Sequence, residues 1–219
     1  MKKLKIMSSN QMENWYVILL SSLKEVQSNE AAYPKFEKLI YTTIEKGYDL
    51  DFVPLSSITA GNTILYCAII DQCPKETILL LIELGASLSC HNRFGDDALS
   101  LAMAYQASEE VLREIVTKSD VNSTDRLGRT AIGKWCEIYI MYGQRWGSGR
   151  DRGDLTELKF LLQSGADPDK DTYWKRKKYT ELPQLKRLQE LIKFIETYKE
   201  VSQELQNNKI NQKNYEYDL

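Results

Sequence analysis

The chain is poor in the side chains that most enzyme and metal chemistry needs. It has one histidine, His91, and four cysteines, Cys67, Cys73, Cys90 and Cys136, in 219 residues. No CxxC or HxxxH spacing occurs, so a zinc site is not expected. A catalytic triad needs an imidazole buried beside a nucleophile, and His91 falls in a turn-like stretch. The phosphate-binding loop Gly-x-x-x-x-Gly-Lys-[Ser/Thr] is missing. Gly143 to Gly153 is glycine-rich but lacks that ending, and Gly147-Ser148-Gly149 is too short for a nucleophile elbow. Asp96 and Asp97 lie on a turn and at a helix start, which points their carboxylates apart. No catalytic residue, metal or cofactor is expected.

Long apolar runs are missing too. Met1-Lys2-Lys3-Leu4-Lys5 has the positive start of a signal peptide, but Ser8, Ser9, Asn10, Gln11, Glu13 and Asn14 interrupt the apolar stretch that should follow. Trp15 to Leu20 is too short to span a bilayer. Neither a Sec signal nor a membrane span is expected, which leaves other secretion addresses open. The thiols read as reduced, in a cytoplasmic setting, and Cys67 as a small buried hydrophobe. Charge of one sign is lacking as well. Lys and Arg total 29, Asp and Glu 31, for a net charge of -2. No whole-molecule field points at nucleic acid or anionic lipid, so electrostatic targeting must come from local patches.

What is present is a period. Gly61-Asn62-Thr63-Ile64-Leu65-Tyr66-Cys67-Ala68 is followed by Gly95-Asp96-Asp97-Ala98-Leu99-Ser100-Leu101-Ala102 and then by Gly128-Arg129-Thr130-Ala131-Ile132-Gly133. The glycines stand 34 and 33 positions apart. A fixed period of this size marks stacked units rather than a closed globule. In each block a glycine turn precedes Thr63, Asp97 or Thr130, whose side-chain oxygen can accept from an unpaired N–H at a helix start. A second helix then ends in glycine, as in Leu79–Gly85 and Leu158–Gly165, with an earlier copy at Gly47. Glycine takes the left-handed conformation there without a Cβ clash.

This pattern resembles the ankyrin-repeat family, in its 33-residue period, its turn followed by two helices and its T-P-L-H-x-A signature. Thr63-Ile64-Leu65-Tyr66-Cys67-Ala68 matches at Thr, Leu and Ala. Gly85-Ala86-Ser87-Leu88-Ser89 and Gly165-Ala166-Asp167-Pro168-Asp169 look like the family's unit endings. Ile64 stands where proline is usual, and Tyr66 and Ser100 where histidine is. Lys118 occupies a glycine position, where a left-handed residue would cost about 1–2 kcal/mol. The resemblance covers roughly residues 30 to 182 and implies an all-α solenoid of about five helix-turn-helix units with degenerate capping ends.

The expected organisation is a flexible N-terminus over 1–10, a degenerate capping repeat over 11–56, central repeats over 57–180, a capping helix over 181–206 and a frayed tail over 207–219. In the first helix Trp15, Ile18, Leu19, Leu23 and Val26 share a face. In the capping helix Leu185, Leu188, Leu191, Ile192, Ile195, Val201 and Leu205 keep helical spacing.

Two stretches break the period, and specificity is sought there. The insertion at about 142–153 carries Arg145, Trp146, Arg150 and Arg152. Forked guanidinium groups suit carboxylates and phosphates, and aromatic and arginine residues dominate interface hot spots. The finger Tyr173-Trp174-Lys175-Arg176-Lys177-Lys178-Tyr179 sets four consecutive cations among aromatics. It reads as a contact for an acidic protein or as a solvated turn with Trp174 tucked against the stack. Nucleic acid is the competing class, though the short cluster and slightly negative total charge argue against it. Earlier turns add Arg93, Phe94 and Arg126 on the same edge. Tyr66, Tyr105, Trp135 and Tyr139 fall on first helices, with core packing the favoured role. The expected function is non-enzymatic: a chain, monomeric alone, that binds and occludes or bridges an acidic partner protein. The resemblance suggests an immunity or inhibitor protein for a cognate toxin or enzyme, with a host-directed effector or adaptor as the alternative.

Overall fold

A computed structural model describes residues 7–55, 59–142, 155–170, 173–178 and 181–217. Among these the chain is helical throughout, with one isolated antiparallel bridge between Thr124 and Thr130. The helices are α1 Ser9–Ser28, α2 Tyr33–Glu45, α3 Ile64–Ile70, α4 Lys75–Glu83, α5 Ala98–Ala104, α6 Glu109–Lys118, α7 Ala131–Tyr142, α8 Thr156–Gln163, α9 Tyr173–Arg176 and α10 Leu182–Tyr217. Consecutive helices pair as hairpins: α1 with α2, α3 with α4, α5 with α6 and α7 with α8. The hairpins then stack. In a front row α1 packs on α3, α3 on α5, α5 on α7 and α7 on α10, while in a back row α2 packs on α4 and α4 on α6.

Local chemistry starts the front helices where the sequence says. Thr63 accepts from the Tyr66 N–H at 3.3 Å, Asp97 from the Ser100 N–H at 2.8 Å and Thr130 from the Gly133 N–H at 3.2 Å. Each cap satisfies a donor that the first turn of a helix leaves unpaired. Gly47, Gly85 and Gly165 close second helices with positive φ. Lys118 needs no such conformation. It is the last residue of α6, and the chain leaves through extended Ser119 at φ -130, so the left-handed strain expected there is absent.

The core runs the length of the stack because the front helices are apolar nearly all round. All of Ile64–Ile69 are buried in α3 and all of Ala98–Met103 in α5. Each fully buried aliphatic or aromatic side chain contributes roughly 1.5–3 kcal/mol. At the ends only one face is covered. In α1 the buried face is Met12, Tyr16, Leu19, Leu23 and Val26. Ile18 is 45 % exposed and Trp15 is half-buried under the Lys46 ammonium at 4.8 Å, so the face is rotated from the one expected. Tyr16 decides the rotation, since its hydroxyl donates to the Asn62 carbonyl at 2.7 Å inside the core.

At the other end Leu191 and Ile195 of α10 are buried, while Leu185, Val201 and Leu205 are exposed. Among the described side chains of α10, those that pack on the body lie in its first half. Arg187 there donates to the carbonyls of Tyr139 and Ile140 at 3.1 and 2.8 Å, satisfying acceptors in the last turns of α7. The helix continues past residue 206, where the capping helix was expected to end and the tail to fray, because no glycine or proline follows to stop it.

Candidate partner-binding groove

The turns that join one hairpin to the next form a ridge along one side of the front row. In two of them one side chain organises the backbone. Asn92 accepts from the N–H groups of Phe94 and Asp96, both at 2.9 Å. Asp125 accepts from those of Leu127 and Arg129, at 2.8 and 2.9 Å. The two residues stand 33 apart and do the same work. Successive turns touch. The Arg93 N–H donates to the Ala60 carbonyl at 3.1 Å. A Cβ on Gly95 would lie 2.9 Å from the Arg126 nitrogen, and Gly95 has φ +83. Only glycine allows both that backbone and that approach.

This stacking presents the residues after each organiser. Arg93 and Arg126 are exposed, Phe94 is 66 % exposed and Leu127 is 74 % exposed. Among the described residues neither guanidinium makes an ion pair.

Beside the ridge lies an open groove of about 560 Å³. Its floor carries Ile70, Ala104, Ile138 and Met141, all half-buried. Ile70, Ala104 and Ile138 recur every 34 residues, so the front row lays down one apolar strip. The wall toward the ridge is ionic. Lys134 is 6 % exposed, and its ammonium binds Asp96 and, at 3.1 Å, Asp125. Arg129 pairs with Asp125 at 2.8 Å and lies 3.8 Å from Glu137, which also holds Lys177. Burial alone would push the Asp125 carboxyl up. The N–H groups of Arg129 and Leu127 and the Lys134 ammonium outweigh it, and the carboxyl titrates below its ordinary value. The wall is thus charged but internally neutralised.

The sequence-derived candidates divide. Arg93, Phe94 and Arg126 come together on the ridge as expected. Trp174 does not project, being 1 % exposed with Lys175 over its ring at 5.3 Å. Tyr173–Arg176 of the finger form the short helix α9, packed on α7, so the indole belongs to the core, and Tyr179 lies outside the described residues. Lys175 pairs with Asp169 at 3.5 Å and Lys177 with Glu137. Arg176 and Lys178 are exposed. The backbone of Tyr173 begins α9, and its side chain lies outside what the structure describes. So do Arg145, Trp146, Arg150 and Arg152. Tyr66, Trp135 and Tyr139 are buried, the last two stacked at 5.3 Å, while Tyr105 lines the groove.

Leu127, the floor strip and Lys134 escaped the sequence reading. Leu127 and the strip had a signal in the period itself, one step from Phe94 and from one another. Lys134 had none locally, since Asp125 lies in the turn before its helix and Asp96 in the turn before that, reached only through stacking.

Among the described residues no cluster of three or more His, Cys, Asp or Glu could hold a metal, and no helix is long and apolar enough to cross a membrane. No family profile and no curated protein matches the sequence.

Proposed function

We propose that the chain is a divergent ankyrin-type solenoid that works as a non-enzymatic binding module, holding a partner protein in the groove between ridge and front row. The 33–34-residue period, the paired rows of helices and the Thr-x-Leu-x-x-Ala match support the repeat assignment. The observation that carries the binding reading is the half-buried strip Ile70–Ala104–Ile138, an aliphatic floor left open to solvent beside exposed Phe94 and Leu127. Apolar surface gathered in a concavity is how proteins take a macromolecular ligand. Occupying or bridging that partner, as an immunity protein, inhibitor or host-directed adaptor does, requires no reacting group. The groove's carboxylates are already engaged with lysines, which leaves no free base in the wall. A cytoplasmic setting fits four cysteines that form no disulfide with one another.

The nucleic-acid alternative rested on stacking by Trp174 and on free charge around it. A buried indole offers no platform for a base, Lys175 and Lys177 pair with carboxylates, and exposed Arg176 and Lys178 alone make a short cluster. The test is affinity capture from the native source with wild type and with Ala104→Glu, which sets a charge on the floor. A partner retained by wild type and lost by Ala104→Glu supports the reading. A partner retained equally by both removes the groove from it.

A further inference from the structure

The ridge carries one two-residue step twice. Arg93-Phe94 and Arg126-Leu127 each place an exposed cation beside an exposed apolar side chain, 33 residues apart and on touching turns. The groove wall cannot supply net charge to a partner, because Lys134, Arg129 and Lys177 are spent on Asp96, Asp125 and Glu137. On the ridge itself the exposed charge is positive, since Arg93 and Arg126 make no ion pair among the described residues, and in the finger exposed Arg176 and Lys178 have the same sign. Lys175 and Lys177 of the finger do not add to it, for the pairing reasons already given.

We infer that the groove and ridge together take an amphipathic helix whose apolar stripe lies on the Ile70–Ala104–Ile138 strip and whose flank carries carboxylates one heptad apart, received by Arg93 and Arg126. The inference rests on the binding reading above and goes further by fixing the partner's shape and charge. Shape follows from two facts. Extended peptides are taken up along open sheet edges, and among the described residues the single β pairing is the Thr124–Thr130 bridge. Helices are taken up in apolar grooves through anchors at i, i+3, i+4 and i+7, which is what an aliphatic strip offers. The register follows from the stack. Packed helices lie about 8–10 Å apart, so equivalent groups on adjacent hairpins repeat at about that distance. A helix advances about 10.5 Å in seven residues, which brings acidic groups at i and i+7 opposite successive arginines. Phe94 and Leu127 then close over the helix from the ridge side.

The probe is a fluorescein-labelled helical peptide of about 21 residues, leucine-striped, with glutamates at i, i+7 and i+14 on one flank. A second peptide carries lysine at those places. Anisotropy titrations use the full chain as wild type, as Arg93→Ser/Arg126→Ser and as Ala104→Glu. Both arginines are exposed, and urea unfolding verifies that the double variant stays folded. Wild type is expected to prefer the acidic peptide by about tenfold or more. The arginine variant should lose that preference, while Ala104→Glu should weaken the acidic peptide most, through its charge on the floor. Discrimination that survives in the arginine variant overturns the inference, as does equal affinity of wild type for both peptides. Failure of both to bind at about 1 mM overturns it too. In each of these cases the groove reading still stands or falls by the capture experiment with Ala104→Glu.

Discussion

Lys134→Met tests the stacking of the turns most sharply. The lysine is 6 % exposed and joins the organiser of its own turn, Asp125, to Asp96 of the turn before. Methionine fills the volume of the stem without the charge. The Asp125 side chain is fully buried, whereas that of Asp96 keeps 21 % of its surface in water. Removing one partner of a buried ion pair costs about 3–5 kcal/mol. Asp125 keeps Arg129 and two backbone N–H groups, and Asp96 can draw on solvent, so the expected cost sits at the low end, about 3 kcal/mol. Urea unfolding followed by circular dichroism should show a lower midpoint at unchanged slope. Asp125→Asn supplies the control, since Asn92 holds the preceding turn with the same acceptor. In that background Lys134→Met should cost about 1 kcal/mol, a coupling of about 2 kcal/mol. The acid limb gives a second reading. A carboxyl harder to protonate folded than unfolded stabilises fully above its unfolded value, about 3.9, and loses that contribution as pH falls through the lower folded value. Wild type should lose stability there more steeply than Lys134→Met. A Lys134→Met protein within about 1 kcal/mol of wild type would mean that Lys134 does not join the turns.

Four further outcomes are expected. Gly95→Ala should cost about 2–4 kcal/mol, because the new Cβ meets the Arg126 backbone as well as an unfavourable φ. Gly128→Ala has φ +75 with nothing within 4 Å of the added carbon, and should cost only about 1 kcal/mol; equal losses would show that the turns do not touch. Tyr16→Phe leaves the Asn62 carbonyl without its donor and should lower stability by about 1–2 kcal/mol in chemical denaturation, with no change pointing to a different seating of α1. Leu81→Ala empties a fully buried site in α4 and should cost about 2–5 kcal/mol, so a thermal midpoint matching wild type would contradict that packing. Burial pushes the Cys67 thiol up to about 11 and the Cys73 thiol up to about 12. At pH 8 both stay protonated and, like buried Cys136, unreactive. A thiol-reactive chromogen should therefore consume half-exposed Cys90 quickly and the other three only on unfolding; rapid reaction of more than one refutes this.

The parts legible in the sequence are those governed by near neighbours. Thr63, Asp97 and Thr130 cap helices because cap and donor are three residues apart. Gly85 and Gly165 end helices because the conformation is local. The ridge residues Arg93, Phe94 and Arg126 were found because the period set them on equivalent turns. Two of the misreadings needed a partner far along the chain. Ile18 and Tyr16 are two residues apart and lie on nearly opposite sides of α1, and the choice between them is made by Asn62. For Trp174 the sequence leaves a partner contact and a place against the stack both open, and packing on α7 decides for the second. Lys118 was judged by family register, while the chain itself turns at extended Ser119. The polar stretch after residue 206 predicts fraying, but nothing in it interrupts a helix, and α10 runs on to Tyr217.

Asn92 and Asp125 hold matching bends with the same oxygen and differ in the second atom of the side-chain head. Nine residues further on the chain has Leu101 after the amide and Lys134 after the carboxylate, both inside the protein. The hairpins are therefore not interchangeable bricks. Transplanting either one, or lengthening the pile by copying it, would require bend and helix residue to travel as a matched couple. An orphaned lysine opposite an amide, or an orphaned carboxylate opposite leucine, would punish any mixed graft.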